Sequence, residues 1–285
     1  MQDQPLHSII LGAVSSLPQG PVAILFAEDP SEIAGTIAHH QKLGFDAILL
    51  IGDDLGVLPA FDAEVRHLPV LVRNRDHVVE MLNLLIPALA GRWIYWGFNA
   101  EYLFFPFCES RSIKDLTAFM EEERRSSVFT SAIDLYAGDL YRATNAVDPS
   151  DAYLDRSGYY SFQRYRDGQP LDRQFNIFGG LGWRFEEFVP WERRRIDRVS
   201  LFKARSDLTI CTDLLLSDDE MNTVSSKWHH NITCAVMSFR VAKSLKRNPG
   251  STFEIANFTW RQSERFSWTS TQLMELGFIE PGQWF

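Results

Sequence analysis

The stretch Val22-Ala23-Ile24-Leu25-Phe26-Ala27-Glu28-Asp29-Pro30-Ser31-Glu32 decides how the chain is read. Its apolar run shows none of the alternation of a half-exposed strand. Such a run suits a strand buried on both faces of a parallel sheet. The residues that follow read as a helix start: Asp29 can cap, Pro30 fits the first helical position, and Glu32 stands at the capping-box position. A buried strand running directly into a helix opens a β-α-β unit.

Outward from this stretch the pattern repeats. The predicted helix runs to about Leu43 and stops at Gly44. Residues 46–51 read as a second strand, 65–72 as a third, and 76–90 as an amphipathic helix ending at Gly91. Residues 93–97 are expected to form a fourth strand, with a further helix over 112–124. This alternation predicts an α/β fold with a doubly wound sheet, in which ligands bind beyond the carboxyl ends of the strands. Glu28, the pair Asp53-Asp54, and the segment from Asn99 to Glu101 all fall at such ends.

Further along, the character changes. Residues 127–136 alternate like a strand, and 148–172 are polar and rich in Tyr, Arg and Asp. The cluster Gly179-Gly180-Leu181-Gly182 lacks the spacing and position of a dinucleotide fingerprint. It reads as a turn needing positive φ, or as a close approach to a ligand. Segments 199–203 and 208–215 look like short strands, 232–242 is apolar, and an aromatic-rich tail follows.

Composition narrows the class. With 45% hydrophobic and 23% charged residues among 285, the chain is an ordinary globular one with ample core. The net charge of -9 argues against a nucleic-acid partner, since a polyanion needs a concentrated basic face. The basic runs Arg193-Arg194-Arg195 and 243–247 are short and read as solvated surface. Cys108, Cys211 and Cys234 give neither a disulfide framework nor a zinc spacing, which suits a reducing compartment. Residues 1–4 are polar with no basic region ahead of an apolar run, so no secretory signal is expected. No run reaches the ~20 apolar residues of a membrane helix. A cytoplasmic location is expected, with peripheral membrane contact left open. The adjacent pairs His39-His40 and His229-His230 point apart and chelate poorly, and His40 is expected to pack between the first helix and the sheet.

Residues 38–46, Ala-His-His-Gln-Lys-Leu-Gly-Phe-Asp, and Asp53-Asp54 after the second strand resemble the A-Y-H-R-x-L-G-F-D stretch and D-N-x-S turn of bacterial family 2-like glycosyltransferases. Residues 93–106 are similar to W-x-x-x-x-D-x-D-E-F-L-x-x-P. In the same order, 113–116 and 132–136 resemble the following helix and D-M-Y strand, Tyr153-Leu154-Asp155 stands where F-D is expected, and 179–185 resembles G-G-x-R-x-R-x-F. Residues 270–277 resemble the final helix.

The resemblance implies a GT-A fold: a Rossmann-like mixed sheet flanked by helices over residues 1–190, with a C-terminal acceptor-side extension over 191–285, or one continuous domain. It implies a nucleotide-sugar donor and a glycan or other hydroxyl acceptor. Glu28, Asp53 and Asp54 would contact base and ribose, and Arg184 would donate to phosphate. A divalent cation, manganese or magnesium, would lie at Asn99 and Glu101. Asp155, at the matching position, would be the general base, with Asp151 and Asp134 competing. Departures accompany the likeness. The metal-motif aspartates fall on Phe98 and Ala100, Gly35-Thr36 replaces Glu-Trp, and Thr212 and Ser238 stand where histidines are usual. Each acidic residue also has a plain structural alternative, as a turn residue or a carboxylate bonded to backbone. The expected function is therefore glycosyl transfer. The alternatives are an inactive GT-A-fold relative that binds or scaffolds, and a metal-independent transferase using Arg184 or Lys203 as the positive charge.

Overall fold

The computed structural model describes residues 3–56 and 64–284. In chain order its elements begin with α1 (Asp3–Ser15), β1 (Val22–Phe26), α2 (Ile33–Lys42), β2 (Ala47–Ile51), β3 (Val65–Leu68), α3 (Arg75–Ala88) and β4 (Trp93–Phe98). There follow β5 (Glu101–Phe104), α4 (Ile113–Glu122), β6 (Ser127–Ala137), β7 (Ala152–Asp155), β8 (Tyr160–Arg166) and β9 (Gln169–Phe178). The last are α5 (Gly180–Arg184), β10 (Asp197–Lys203), β11 (Thr233–Ser238), α6 (Arg240–Arg247), β12 (Ser263–Arg265) and α7 (Ser270–Glu275). The chain forms two compact units. One gathers residues up to Asn99 with Ser110–Val128 and Val199–Asn222; the other gathers Ala100–Glu109, Phe129–Arg198 and the residues from Thr223 on. The protein is thus α/β, with parallel and antiparallel strands flanked by helices, compatible with a Rossmann-like fold.

In the first unit β3, β2, β1 and β4 are neighbours in that order and run parallel, with Val22 of β1 in register with Ala47 on one side and Ile94 on the other. Leu201 to Lys203 run antiparallel along β4. Every residue of β1, β2 and β4 is buried, which explains their uninterrupted apolar runs. Val78, Leu82, Leu85 and Ile86 of α3 pack into the same core as Ile24, Leu49 and Trp96. As expected, His40 is fully buried, stacked 4.8 Å from the Tyr95 ring with Nδ1 2.8 Å from the Thr36 carbonyl. Burial drives its pKa down to about 3, so the ring is neutral.

Three expectations differ in detail. The third strand, expected over 65–72, ends at Leu68. Helix α2 starts at Ile33 rather than beside Asp29, and Glu32 before it is left-handed (φ 55°). Segment 208–215 makes no strand. The Ile210 backbone is instead satisfied by the Asn83 side chain, which accepts from its N–H at 2.8 Å and donates to its carbonyl at 3.0 Å.

In the second unit β11 lies between β6, to which it is parallel, and β5, to which it is antiparallel. On the far side of β6 follow β7 and then β12, each antiparallel to its neighbour. The apolar segment 232–242 proves to be β11 turning directly into α6. Leu135, Leu154, Met237 and Phe266 belong to one core cluster, and Tyr136, Leu181, Leu245 and Phe258 to another. Strands β8 and β9 form a separate hairpin with an irregularity between Gln163 and Tyr165. Among the described residues, no helix is long and apolar enough to cross a membrane.

Candidate functional site

The chain order of the first unit runs outward from β1 through β2 to β3, and β4 returns to the other side of β1. That reversal is the place where an open α/β sheet leaves a crevice beyond its carboxyl ends. Asn99, the first residue past β4, is buried there. Its Oδ1 accepts from the Glu28 N–H at 3.0 Å. Its Nδ2 donates to Asp29 Oδ1 at 3.0 Å and to the Ser31 carbonyl at 2.8 Å. Asp29 Oδ1 also accepts from the Ser31 N–H at 2.8 Å. This is why Asp29 does not cap α2: its carboxylate belongs to a turn fixed by a residue 70 positions away.

The clamp leaves the Glu28 side chain exposed at the tip of β1. Asp53 and Asp54 are exposed beyond the end of β2, where the Asp54 N–H donates to Asp53 Oδ1 at 2.9 Å. The adjoining strand tips are tied by the Ala27 N–H to the Ile51 carbonyl at 2.8 Å. Carboxylates exposed on such a rim can accept from vicinal hydroxyls such as those of a ribose. Asn99, by contrast, has its amide taken up by the loop.

Glu101 lies in the second unit, fully buried at the start of β5. Arg198 Nη2 donates to its Oε2 at 2.5 Å and Ser238 Oγ to its Oε1 at 2.9 Å. A divalent cation needs anionic oxygen with room around it, and here a guanidinium already neutralises the carboxylate. Asn99 and Glu101 as placed do not fit a cation. Among the described residues, no group of three or more His, Cys, Asp or Glu is arranged to hold one.

The other expected residues of the second unit come together. Asp155 is buried, and its Oδ1 accepts from Tyr136 Oη at 2.6 Å, Trp260 Nε1 at 2.7 Å and Arg184 Nη1 at 3.0 Å. Arg184 Nη1 also reaches Oδ2 at 3.1 Å, while Nη2 donates to the Phe258 carbonyl at 2.7 Å. Its guanidinium sits 4.7 Å from the Trp260 ring centroid.

Asp134, near the middle of β6, accepts from the Leu181 N–H at 2.7 Å and holds the glycine turn against the strand. Gly180 there has φ 63°, and a Cβ on it would stand 2.5 Å from Asp134 Oδ2, so only glycine fits. Burial raises the Asp134 pKa to about 7; the Leu181 amide opposes the shift and the Asp155 charge adds to it. Nearby, the Tyr159 hydroxyl is buried with no hydrogen-bond partner among the described residues, and burial pushes its pKa up. Asp151 stays apart, half-buried and 3.9 Å from Arg265.

Reading the sequence marked Asp134, Asp155 and Arg184 one by one, and the structure groups them. It did not assign Tyr136 and Trp260 to Asp155, or find Ser263, whose Oγ lies 2.7 Å from Tyr136 Oη, or Arg198 opposite Glu101. No local pattern announces those residues, because each partner lies on a different strand or loop. No protein-family model matches the chain, and no curated protein matches it.

Proposed function

We propose that the protein is a nucleotide-sugar glycosyltransferase that binds its donor at the carboxyl ends of β1 and β2, without a cation at Asn99 or Glu101. The observation that carries this reading is the reversal of strand order between β1 and β4, with Glu28, Asp53 and Asp54 exposed on the rim beside it. Ribose hydroxyls would donate to those carboxylates. In the transfer, the oxygen of an acceptor hydroxyl bonds to the anomeric carbon. The bond from that carbon to the phosphate oxygen breaks, with its electron pair leaving on the nucleoside diphosphate. A carboxylate takes the hydroxyl proton. The acceptor would be a glycan or another hydroxyl compound, and the reaction would run in the cytoplasm, where nucleotide sugars are made.

A second reading is a non-catalytic relative that binds the nucleotide and no longer transfers. The saturation of Glu101 and Asp155 by buried partners favours it. Calorimetric titration with UDP, GDP and dTDP, with and without EDTA, tests both. Binding that survives EDTA, together with donor turnover, supports the transferase. Binding with no turnover of UDP-, GDP- or dTDP-hexoses leaves the second reading. No binding of any of the three defeats both.

A further inference from the structure

In the second unit the β8–β9 hairpin carries aromatic rings that stand half in solvent: Tyr160 at 48% exposure and Phe162 at 50%, joined by Trp191 at 55%. The three gather around one buried ring, Phe178, which pairs in register with Tyr160. Trp191 stacks on Phe178 at 4.7 Å and 25°, and Phe162 meets it edge-on at 5.9 Å. Trp183 links Phe178 to Tyr160, 6.0 Å from one and 5.3 Å from the other.

A buried arginine ties the two strands of the hairpin together. Arg164, two residues beyond Phe162 on the same strand, is buried. It donates to Asn176 Oδ1 at 3.0 Å, Gln174 Oε1 at 3.1 Å and Asp197 Oδ2 at 2.6 Å. Around it, Arg195 shares Asp197 with Arg164 and lies 3.2 Å from it, Arg194 pairs with Glu186 at 2.9 Å and sits 5.7 Å from the Trp191 ring centroid, and Arg193 is exposed beside the exposed Glu192. An anionic lipid surface is recognised by clustered unpaired basic groups, which these pairs do not supply. Aromatic faces set among charges of both signs complement an uncharged, ring-shaped ligand. Sugar C–H bonds carry partial positive charge and are drawn to the negative face of an aromatic ring.

We propose that this aromatic platform binds the pyranose rings of a neutral glycan, of the equatorially linked kind whose sugars present flat C–H faces. The proposal rests on the transferase reading, for which this glycan would be the acceptor or its extension.

The test titrates the full chain with cellohexaose and chitohexaose, following tryptophan fluorescence and heat, for the native protein, Phe162→Ala and Trp191→Ala. Both rings are half-exposed, so the variants are expected to fold, and their thermal unfolding is recorded alongside. The expected result is millimolar or tighter binding of at least one hexaose, weakened about tenfold in each variant, with the nucleotide titration unchanged. Failure of both hexaoses to bind at millimolar concentration, or equal affinity in the variants, overturns it. So does a platform that serves another partner: binding to phosphatidylglycerol vesicles, or self-association seen by light scattering, that is lost in the variants while glycan affinity is not. Failure of the native protein to bind either hexaose while it binds nucleotide defeats the platform alone. Glycan binding without nucleotide binding defeats the transferase reading alone.

Discussion

The Glu101 carboxylate and the Arg198 guanidinium lie 2.5 Å apart, with side-chain exposures of 2% and 7%. In the sequence Glu101 resembles the last member of a metal turn; in the folded unit its charge is neutralised by Arg198. Removing one partner strands the other as a buried charge. Arg198→Met should destabilise the protein by about 3–5 kcal/mol. The double variant Arg198→Met with Glu101→Gln should recover a substantial part of that loss. Urea denaturation of the three proteins measures both effects, and a double variant as unstable as the single one would count against the pairing.

Asn99 holds the loop after β1 by three side-chain hydrogen bonds. Asn99→Ala should cost about 2–4 kcal/mol, because the Glu28 N–H and the Asp29 carboxylate lose buried partners. On the proposed nucleotide-binding reading, it should also weaken that binding by mobilising Glu28, while Asp53 and Asp54 keep their turn. Denaturation and nucleotide titration on the same sample check both parts.

Two buried groups bend the pH profile in opposite senses. Asp134 keeps its proton up to about pH 7 when folded, against 3.8 ordinarily. The native state therefore binds the extra proton, and stability falls as pH rises from about 4 to about 7, by about 1.4 kcal/mol per unit. His40, lowered from 6.5 to about 3, is neutral when folded and charged when unfolded. Its contribution is lost as pH drops from 6.5 towards 3, with a similar slope. The two offset each other between about pH 4 and 6.5. Asp134→Asn should leave a stability that rises with pH across that window, and His40→Gln one that falls. Identical profiles for both variants and the native protein, measured by urea unfolding, would refute the linkage.

Asp155 is the shared acceptor of Tyr136, Arg184 and Trp260. Asp155→Asn keeps the shape but removes the charge facing Arg184, and should cost about 3 kcal/mol. Trp260 fluorescence should change at the same time, since the indole N–H loses its anionic partner. Asp155→Ala with an unaltered Trp260 spectrum would show that this contact does not form in solution.

How much of this was readable beforehand depends on the distance between the groups concerned. Val22 to Phe26 announced β1 because both faces are buried and every residue must be apolar. Helix α4 starts at Ile113, next to the expected residue 112, where Ser112 and Asp115 make a capping box within one turn. Asp29 was misread as a cap because the competing donor, Asn99, is 70 residues on. Segment 208–215 has strand-like composition, yet Asn83, 127 positions away from Ile210, supplies the bonds a ladder would have supplied. Arg198 and Glu101 are 97 positions apart, and charge pairs at such separations leave no periodic trace. Local patterns gave strands, helices and the acidic rim. The partners that give each acidic residue its chemistry come only with the tertiary fold.

The loop that Asn99 pins also has a kinetic consequence. A segment already fixed has no ordering step left when a ligand arrives, so no binding energy goes into freezing its backbone. A nucleotide meeting that rim would associate at a rate set by encounter and orientation rather than gated by loop closure. Residence time, governed by the few contacts on Glu28, Asp53 and Asp54, would then be what separates one nucleotide from another.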